Sequence, residues 1–211
     1  RHGLNRLDHL DRITRAPIRR MEMTRPGELV HVDIKKIAAI PSGGGWRLRG
    51  RGNDGTHGHS GAGYRYIHTA LDVRSRLVYS EILNDERALS AAQFWARAAA
   101  WFATLGGHCE RVITDNGSCY RSGHWHQACA ATGTAVRKTR PRRPQTNGTV
   151  ERYHRILLEE WAYIRPWTSE TQRAHGYNGF VHFYNHHRPH GALDWATPTR
   201  TLRDNLPAEH T

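Results

Sequence analysis

Three acidic residues of this chain have the surroundings that a divalent metal ion would need. Asp33 lies inside the apolar run 28–34, and Asp115 closes the run that begins at Arg111. Glu151 follows an Asn-Gly turn signal and begins a stretch with helical spacing. Carboxylate oxygens suit Mg²⁺ or Mn²⁺ better than imidazole or thiolate groups do. Two such ions about 3.5–4 Å apart would activate a weak nucleophile and stabilise the leaving oxygen of a phosphodiester.

Each acid also has a structural explanation. A lone glutamate on a helix is usually a solvated surface residue, and Asp72 competes with Asp33 for the role of first site acid. The sequence Asp72-Val73-Arg74-Ser75 has the composition of a tight turn, which favours a local hydrogen bond for Asp72. No Ser-His-Asp or Cys-His pattern competes convincingly. The glycine-rich stretch lacks the Gly-Lys-Ser/Thr sequence of a phosphate-binding loop, so we expect no nucleoside triphosphate.

Composition favours a polyanionic partner. The 211 residues include 31 Lys and Arg against 19 Asp and Glu, which gives a formal net charge of +12 and points first to nucleic acid. No apolar run approaches the length of a membrane span, and no secretory signal is visible. The three cysteines are odd in number and are interpreted as reduced thiols of an intracellular protein.

The acids need rigid elements to position them, and hydrophobic periodicity predicts a mixed sheet with helices on its faces. The helix that carries Glu151 should bury Val150, His154, Leu157 and Trp161. The long helix should pack on the sheet through Leu89, Ala92, Ala96, Ala99, Phe102 and Leu105. The predicted strands cover 28–34, 64–71, 76–83, 110–114 and 134–137, and the predicted helices cover 86–105, 122–131, a segment after Asn147, and 177–184.

Composition along the chain predicts three regions. Residues 1–26 look like a basic N-terminal arm or linker, or alternatively a disordered end, and the absence of a methionine at Arg1 is what a fragment would show. Residues 27–200 form the core, with a Gly/Arg-rich insertion at 41–63 that cannot bury enough apolar surface to fold alone. Residues 201–211 form a C-terminal tail.

The spacing and flanks of the acids carry a family resemblance. Between Asp115 and Glu151 lie 35 residues, with Asp-Asn-Gly at the second acid and Asn-Gly before the third. Toward the C-terminus, the chain contains Tyr184-Asn185-His186-His187-Arg188-Pro189-His190-Gly191-Ala192-Leu193 and then Thr197-Pro198. From about Leu29 to Pro198 it resembles the catalytic core of the DDE superfamily, which includes retroviral integrases and many bacterial insertion-sequence transposases. The ending looks more like the insertion-sequence branch.

The resemblance implies an α/β ribonuclease H-like fold with a mixed sheet flanked by helices. It implies that Asp33 bridges two Mg²⁺ (or Mn²⁺) ions, that Asp115 holds one, and that Glu151 holds the other. The implied activity is metal-dependent strand cleavage at element ends and transfer into target DNA. A homodimer or larger assembly on DNA is also implied, in the bacterial cytoplasm and at the nucleoid. The alternatives are a catalytically silent DNA-binding module and a ribonuclease H-type nuclease that does not join strands.

Basic residues near the acids are candidates for contact with the DNA backbone, although charge runs are often only solvated surface. The aromatic-rich helix 177–184 and the basic arm are candidate dimer contacts. The predicted DNA-binding residues are Arg137, Lys138, Arg140, Arg142 and Arg143 in one run, Arg152 and Arg155 beside Glu151, and Arg47, Arg49 and Arg51 in the insertion.

Overall fold

A five-stranded mixed sheet forms the centre of the protein. The computed structural model describes residues 23–50, 62–138 and 148–205. The strand order is β3-β2-β1-β4-β5, in which β1–β2 and β2–β3 are antiparallel and β1–β4 and β4–β5 are parallel. The predicted mixed sheet is therefore confirmed. The strands are β1 Val30–Ala38, β2 Tyr64–Asp72, β3 Val78–Leu83, β4 Arg111–Thr114 and β5 Ala135–Lys138.

Helices cover both faces of the sheet. Strand alternation sends Val30 and Val32 of β1 to one face, which is covered by α2 and α3, and Ile37 to the other, which is covered by α4 and α6. Among the described residues, no helix is both long and apolar enough to cross a membrane. The helices are α1 Trp46–Arg49, α2 Ala88–Thr104, α3 Gly123–Ala131, α4 Gly148–Leu157 with a π-helical continuation Leu158–Ala162, α5 Glu170–His175, α6 Tyr177–His186 and α7 Pro198–Asn205.

Strand β1 begins and ends later than predicted. It extends to Ala38 because antiparallel pairing with β2 continues as far as Ala38 opposite Tyr64. The glycine-rich insertion contains the short helix α1, which the composition did not indicate, while residues 51–61 of the insertion lie outside the described ranges. The three cysteines are free and buried, as predicted for unpaired thiols.

Helix α2 buries part of the predicted stripe, since Ala92 and Phe102 are buried and Ala99 and Leu105 are partly buried against the core. Leu89 is 54% exposed and Ala96 is exposed, so their assignment to the buried stripe was wrong. The helix contacts α3 as well as the sheet, which turns its large aromatic residues inward. Trp95 packs against Trp125 with ring centroids 6.1 Å apart, and its indole N–H donates to Thr132 Oγ1 at 3.0 Å. The buried residues of α2 are Ala91, Ala92, Phe94, Trp95, Ala98 and Phe102.

Asp72 closes the turn between β2 and β3, as its sequence context predicted. Its Oδ2 accepts hydrogen bonds from the amide and the hydroxyl of Ser75, both at 2.6 Å, and its Oδ1 accepts from the Gly27 amide at 2.7 Å. Burial raises the pKa of Asp72, while these donors act to lower it. The carboxylate is fully engaged in holding the turn against the residues that lead into β1.

The C-terminal helices complete the fold. Tyr177, Phe180 and Tyr184 are buried in the core, whereas Phe183 of the same helix is 47% exposed, and a dimer contact through this helix stays a prediction. The side chain of Asn185 accepts from the Val78 amide at 3.0 Å and donates to the Val78 carbonyl at 2.7 Å, which fixes α6 to β3. Helix α7 crosses residue 200, where the predicted core ends, and its Leu202 is buried in the main core.

Candidate metal centre

Two of the three predicted site acids lie side by side at one end of neighbouring strands. The parallel pairing of β1 with β4 places His31 opposite Ile113. Continuing that register by two residues brings Asp33 level with Asp115, which directly follows β4. Strand adjacency of the two aspartates is therefore as predicted.

A local turn fixes the Asp115 side chain. The Gly117 amide donates to Asp115 Oδ1 at 2.8 Å. A Cβ atom at position 117 would lie only 2.9 Å from the same oxygen, so glycine allows the turn to close tightly on the carboxylate. The Asp-Asn-Gly sequence thus holds an exposed carboxylate in one orientation.

Glu151 reaches the site from helix α4. It is exposed in the first turn of the helix, whose opposite side is anchored by Val150 and Leu157 at 0% exposure. His154 and Trp161 are also buried, so the predicted buried face of this helix is confirmed. Thr146 and Asn147, whose side chains are of the type that caps a helix, precede α4 and lie outside the described ranges.

The electrostatics of Asp33 connect the three acids. The pKa of Asp33 is raised to about 6, chiefly by burial and then by the negative charges of Asp115 and Glu151, while the Ile34 amide, which donates to Oδ1 at 2.8 Å, opposes the shift. The side chain is 22% exposed. A bound cation would stabilise the ionised form of a carboxylate that is buried beside two other acids.

His154 is a site neighbour that the sequence placed only in the buried face of α4. Its Nδ1 lies 3.6 Å from Asp33 Oδ2, which is beyond hydrogen-bond distance. Burial, followed by the charge of Lys35, lowers the pKa of His154 to about 3, so the ring is neutral at pH 7. Its spacing of three residues from Glu151 was the signal that could have identified it.

The three acids do not converge on one metal position among the described residues. Within the part of the chain that the structure describes, no three His, Cys, Asp or Glu side chains are grouped so that they could hold a metal ion together. Two hydrated ions that share substrate oxygens need fewer protein ligands each. Asp33 with Asp115 could hold one ion, and Asp33 with Glu151 could hold the other.

The predicted DNA-binding arginines fall into different environments. Arg152 and Arg155 are exposed on α4, and Arg137 is exposed near the end of β5, which Lys138 closes. By contrast, Arg49 donates to the Gly43 carbonyl of its own segment at 3.0 Å, and Arg47 donates to the Tyr163 carbonyl at 3.1 Å, which ties α1 to the residues after α4. The predicted contacts that lie outside the described ranges are Arg51, Arg140, Arg142 and Arg143.

Comparison with known protein families gives two overlapping matches. Two models of the integrase core domain match the chain, one over residues 23–144 and the other over residues 132–198. Among curated proteins, the putative transposase InsD for insertion element IS2E of Escherichia coli K12 is 31% identical over 91 residues, which are 43% of this chain and 42% of that protein. The transposase InsD for IS2A/D/F/H/I/K of Escherichia coli matches at 31% identity over 43% of this chain and 30% of its own length. The matched stretch thus spans less than half of either relative.

Solved structures share the fold at low sequence identity. The simian T-cell lymphotropic virus intasome in complex with the PP2A regulatory subunit B56 gamma aligns with a TM-score of 0.64 and 18% identity, over 92% of this chain and 59% of that chain. The dimeric form of the HTLV-2 integrase catalytic core domain, solved in complex with magnesium, aligns with a TM-score of 0.57 and 15% identity, over 84% and 97% of the two chains. These matches confirm the predicted ribonuclease H-like fold.

Proposed function

The chain belongs to the integrase core domain family, and from this we propose that it cleaves DNA at the ends of an insertion sequence and transfers the cut strands into target DNA. The curated relatives that it resembles are insertion-sequence transposases. The net charge of +12 supports a DNA partner. The reaction would use water and then a 3′ hydroxyl as nucleophiles, with no covalent protein–DNA intermediate.

In this proposal Asp33, Asp115 and Glu151 would together hold two Mg²⁺ (or Mn²⁺) ions, with Asp33 as the acid that both ions would share. Bound ions would activate the nucleophile and stabilise the leaving oxygen. The chain itself would keep the carboxylates in place. The Ile34 amide orients Asp33 through the 2.8 Å hydrogen bond, and the anchored helix α4 limits the movement of Glu151.

The observation that best supports this function is the pKa of Asp33, which is raised to about 6 by burial and then by its two acidic neighbours. An aspartate without a ligand would be expected to lie in solvent, whereas Asp33 is buried beside two other carboxylates. Clustering like charges costs folding free energy, and a ligand cation is the simplest source of compensation. The same observation disfavours the catalytically silent DNA-binding module as an alternative.

The test is an assay of end-labelled DNA taken from both flanks of the coding sequence, with and without Mg²⁺. Wild-type protein should give cut and joined products only with the metal. Asp33→Asn, Asp115→Asn and Glu151→Gln should each abolish both products while DNA binding is kept. Asp204→Asn changes an acid that is 62% exposed on α7 and serves as the matched control.

Each outcome selects one function. Cut products without joined products would identify a ribonuclease H-type nuclease, and binding without either product would identify a silent DNA-binding module. Normal activity in any one of the three acid variants would remove that residue from the proposed site.

A further inference from the structure

A recess lies along helix α4, next to the proposed metal site. This basic cleft has a volume of about 700 Å³ and is bounded by α4, the β2–β3 turn and the loop after α6. No carboxylate is among the described residues that line it. Its polar lining is dominated by four arginines and two histidines: Arg76, Arg152, Arg155, Arg188, His31 and His190.

Helix α4 separates the cleft from the acids. Thr149, Arg152 and Ile156 line the cleft and share one flank of the helix, because residues three and seven apart lie nearly above one another. Glu151 is rotated by about 100° from Arg152, toward the flank where His154 meets Asp33. A DNA strand that crosses the exposed surface of α4 could therefore contact both sites.

Among the described residues, Arg76 is held in the cleft by a hydrogen bond to a hydroxyl, while the charge of Asp72 acts to raise its pKa. Its Nη1 donates to Thr149 Oγ1 at 2.9 Å, which ties the β2–β3 turn to the start of α4. Burial lowers the pKa of Arg76, and the positive charge of Arg152 is among the charges that lower it further. Nearby Asp72 is already engaged with Ser75 and Gly27. Two guanidinium groups brought together in this way form a site for an anion.

His190 provides an independent indication of a ligand. The residue is only 8% exposed, and its Nε2 has no hydrogen-bond partner within the described parts of the chain. Buried polar atoms of this kind are normally satisfied. Neighbouring Arg188 forms a bidentate pair with Glu160 through Nε and Nη2, at 3.0 and 2.7 Å, which leaves Nη1 outside that pair.

The charges around His190 favour an anion over a cation or a neutral ligand. The pKa of His190 is lowered to about 4, chiefly by burial and then by the charges of Arg188 and Arg76, whereas a hydrogen bond to the Tyr184 backbone and the charge of Glu160 oppose the shift. A phosphate in the cleft would offset the two guanidinium charges. It would also favour the protonated ring, whose Nε2–H would then donate to a phosphate oxygen.

We propose that the basic cleft binds one phosphate of the DNA backbone, held by Arg76, Arg152 and His190. The inference rests on the proposed function, because the DNA strand would continue from the phosphate that reacts at the acids. Both sites lie on α4, and a helix with its side chains is only about 10–12 Å across, so the bound phosphate lies within a few nucleotides of the reacting one.

The first test is the salt dependence of DNA binding by metal-free protein. Arg76→Gln and Arg152→Gln should each reduce the slope of log affinity against log salt by about 0.9. Arg200→Gln should leave the slope unchanged, because Arg200 lies outside the cleft and its side chain is 75% exposed. If Arg76→Gln fails to fold, the slope measured for Arg152→Gln still tests the proposal, because Arg152 is exposed and its replacement should not disturb the core.

The second test locates the phosphate by replacing single phosphates with neutral methylphosphonates. Wild-type protein should lose about tenfold in affinity at one position within a few nucleotides of the reacting phosphate. The Arg76→Gln/Arg152→Gln double variant should lose less than twofold at the same position, because its contact is already gone.

The outcomes separate this inference from the proposed function. Mg²⁺-dependent joining by wild type, together with equal losses in wild type and double variant at every position, overturns the cleft as a phosphate site and leaves the function intact. An absence of DNA binding by wild type overturns both.

Discussion

Replacing Asp33 with asparagine should stabilise the metal-free protein above neutral pH. The pKa of Asp33 is raised by burial from 3.8 to about 6, so the folded protein disfavours its ionised form. A carboxylate whose pKa is raised on folding lowers stability as pH increases from the unfolded pKa to the folded one. The full cost is therefore present above about pH 6 and absent well below pH 4. Asparagine removes the charge and keeps an oxygen that can accept from the Ile34 amide.

The size of the effect follows from the pKa difference. The raised value of about 6 minus 3.8 is roughly 2, and one pKa unit corresponds to 1.36 kcal/mol, which gives roughly 3 kcal/mol. At pH 5 the linkage relation predicts roughly half of this destabilisation, because Asp33 is only partly ionised in the folded protein. For a protein of this size each kcal/mol shifts Tm by about 2–4 °C, so Tm should rise by roughly 6–12 °C at pH 8 and by about half as much at pH 5.

Thermal unfolding monitored by fluorescence at both pH values, in EDTA and in MgCl₂, would measure this difference. Mg²⁺ should stabilise wild type and have a smaller effect on Asp33→Asn, because the metal offsets the repulsion that the substitution has removed. The Asp204→Asn variant controls for the loss of an ordinary surface charge. Equal Tm values for wild type and Asp33→Asn at pH 8, or the same difference at both pH values, would refute the reasoning.

Further predictions concern other parts of the protein. Asn185→Ala should lower the free energy of unfolding by roughly 2–4 kcal/mol in urea titrations, because it leaves the Val78 amide and carbonyl unpaired. Gly117→Ala should reduce strand cleavage at least tenfold with little change in Tm, since its Cβ would lie 2.9 Å from Asp115 Oδ1. Neutralising the five cations of the basic run 137–143 should flatten the salt dependence of DNA binding, and an unchanged slope would show that the run is only solvated surface. Light scattering with paired-end DNA should detect at least two copies per complex, because two element ends need two three-acid sites; concerted joining by unpaired monomers would contradict this.

Local sequence signals predicted the elements that carry the acids. The apolar run around Asp33 and the helical spacing from Val150 to Trp161 each report on burial within one element, where periodicity is informative. The tight turn at Asp72 was equally readable, because Asp and Ser three residues apart form the hydrogen bonds that close it.

Features that depend on distant contacts could not be predicted in this way. Helix α2 packs against α3 as well as against the sheet. Its buried face therefore differs in part from the apolar stripe that its own sequence predicts. The basic cleft joins residues from the β2–β3 turn, α4 and the loop after α6, and nothing in their local sequence indicates that they meet. Tertiary packing, rather than local propensity, determines both the buried face of α2 and the composition of the basic cleft.

The hydrogen bonds from Asn185 to Val78 have a consequence for the behaviour of the chain before it is fully folded. Strand β3 is at the edge of the sheet, and such edges recruit strands from other molecules unless they are covered. The amide of Asn185 occupies one N–H and one C=O of this edge, in the way that a neighbouring strand would. Helix α6 lies about a hundred residues later in the chain. During synthesis this part of the edge therefore stays uncovered until α6 has been made. Aggregation during expression should therefore be most sensitive to truncations or substitutions that remove α6.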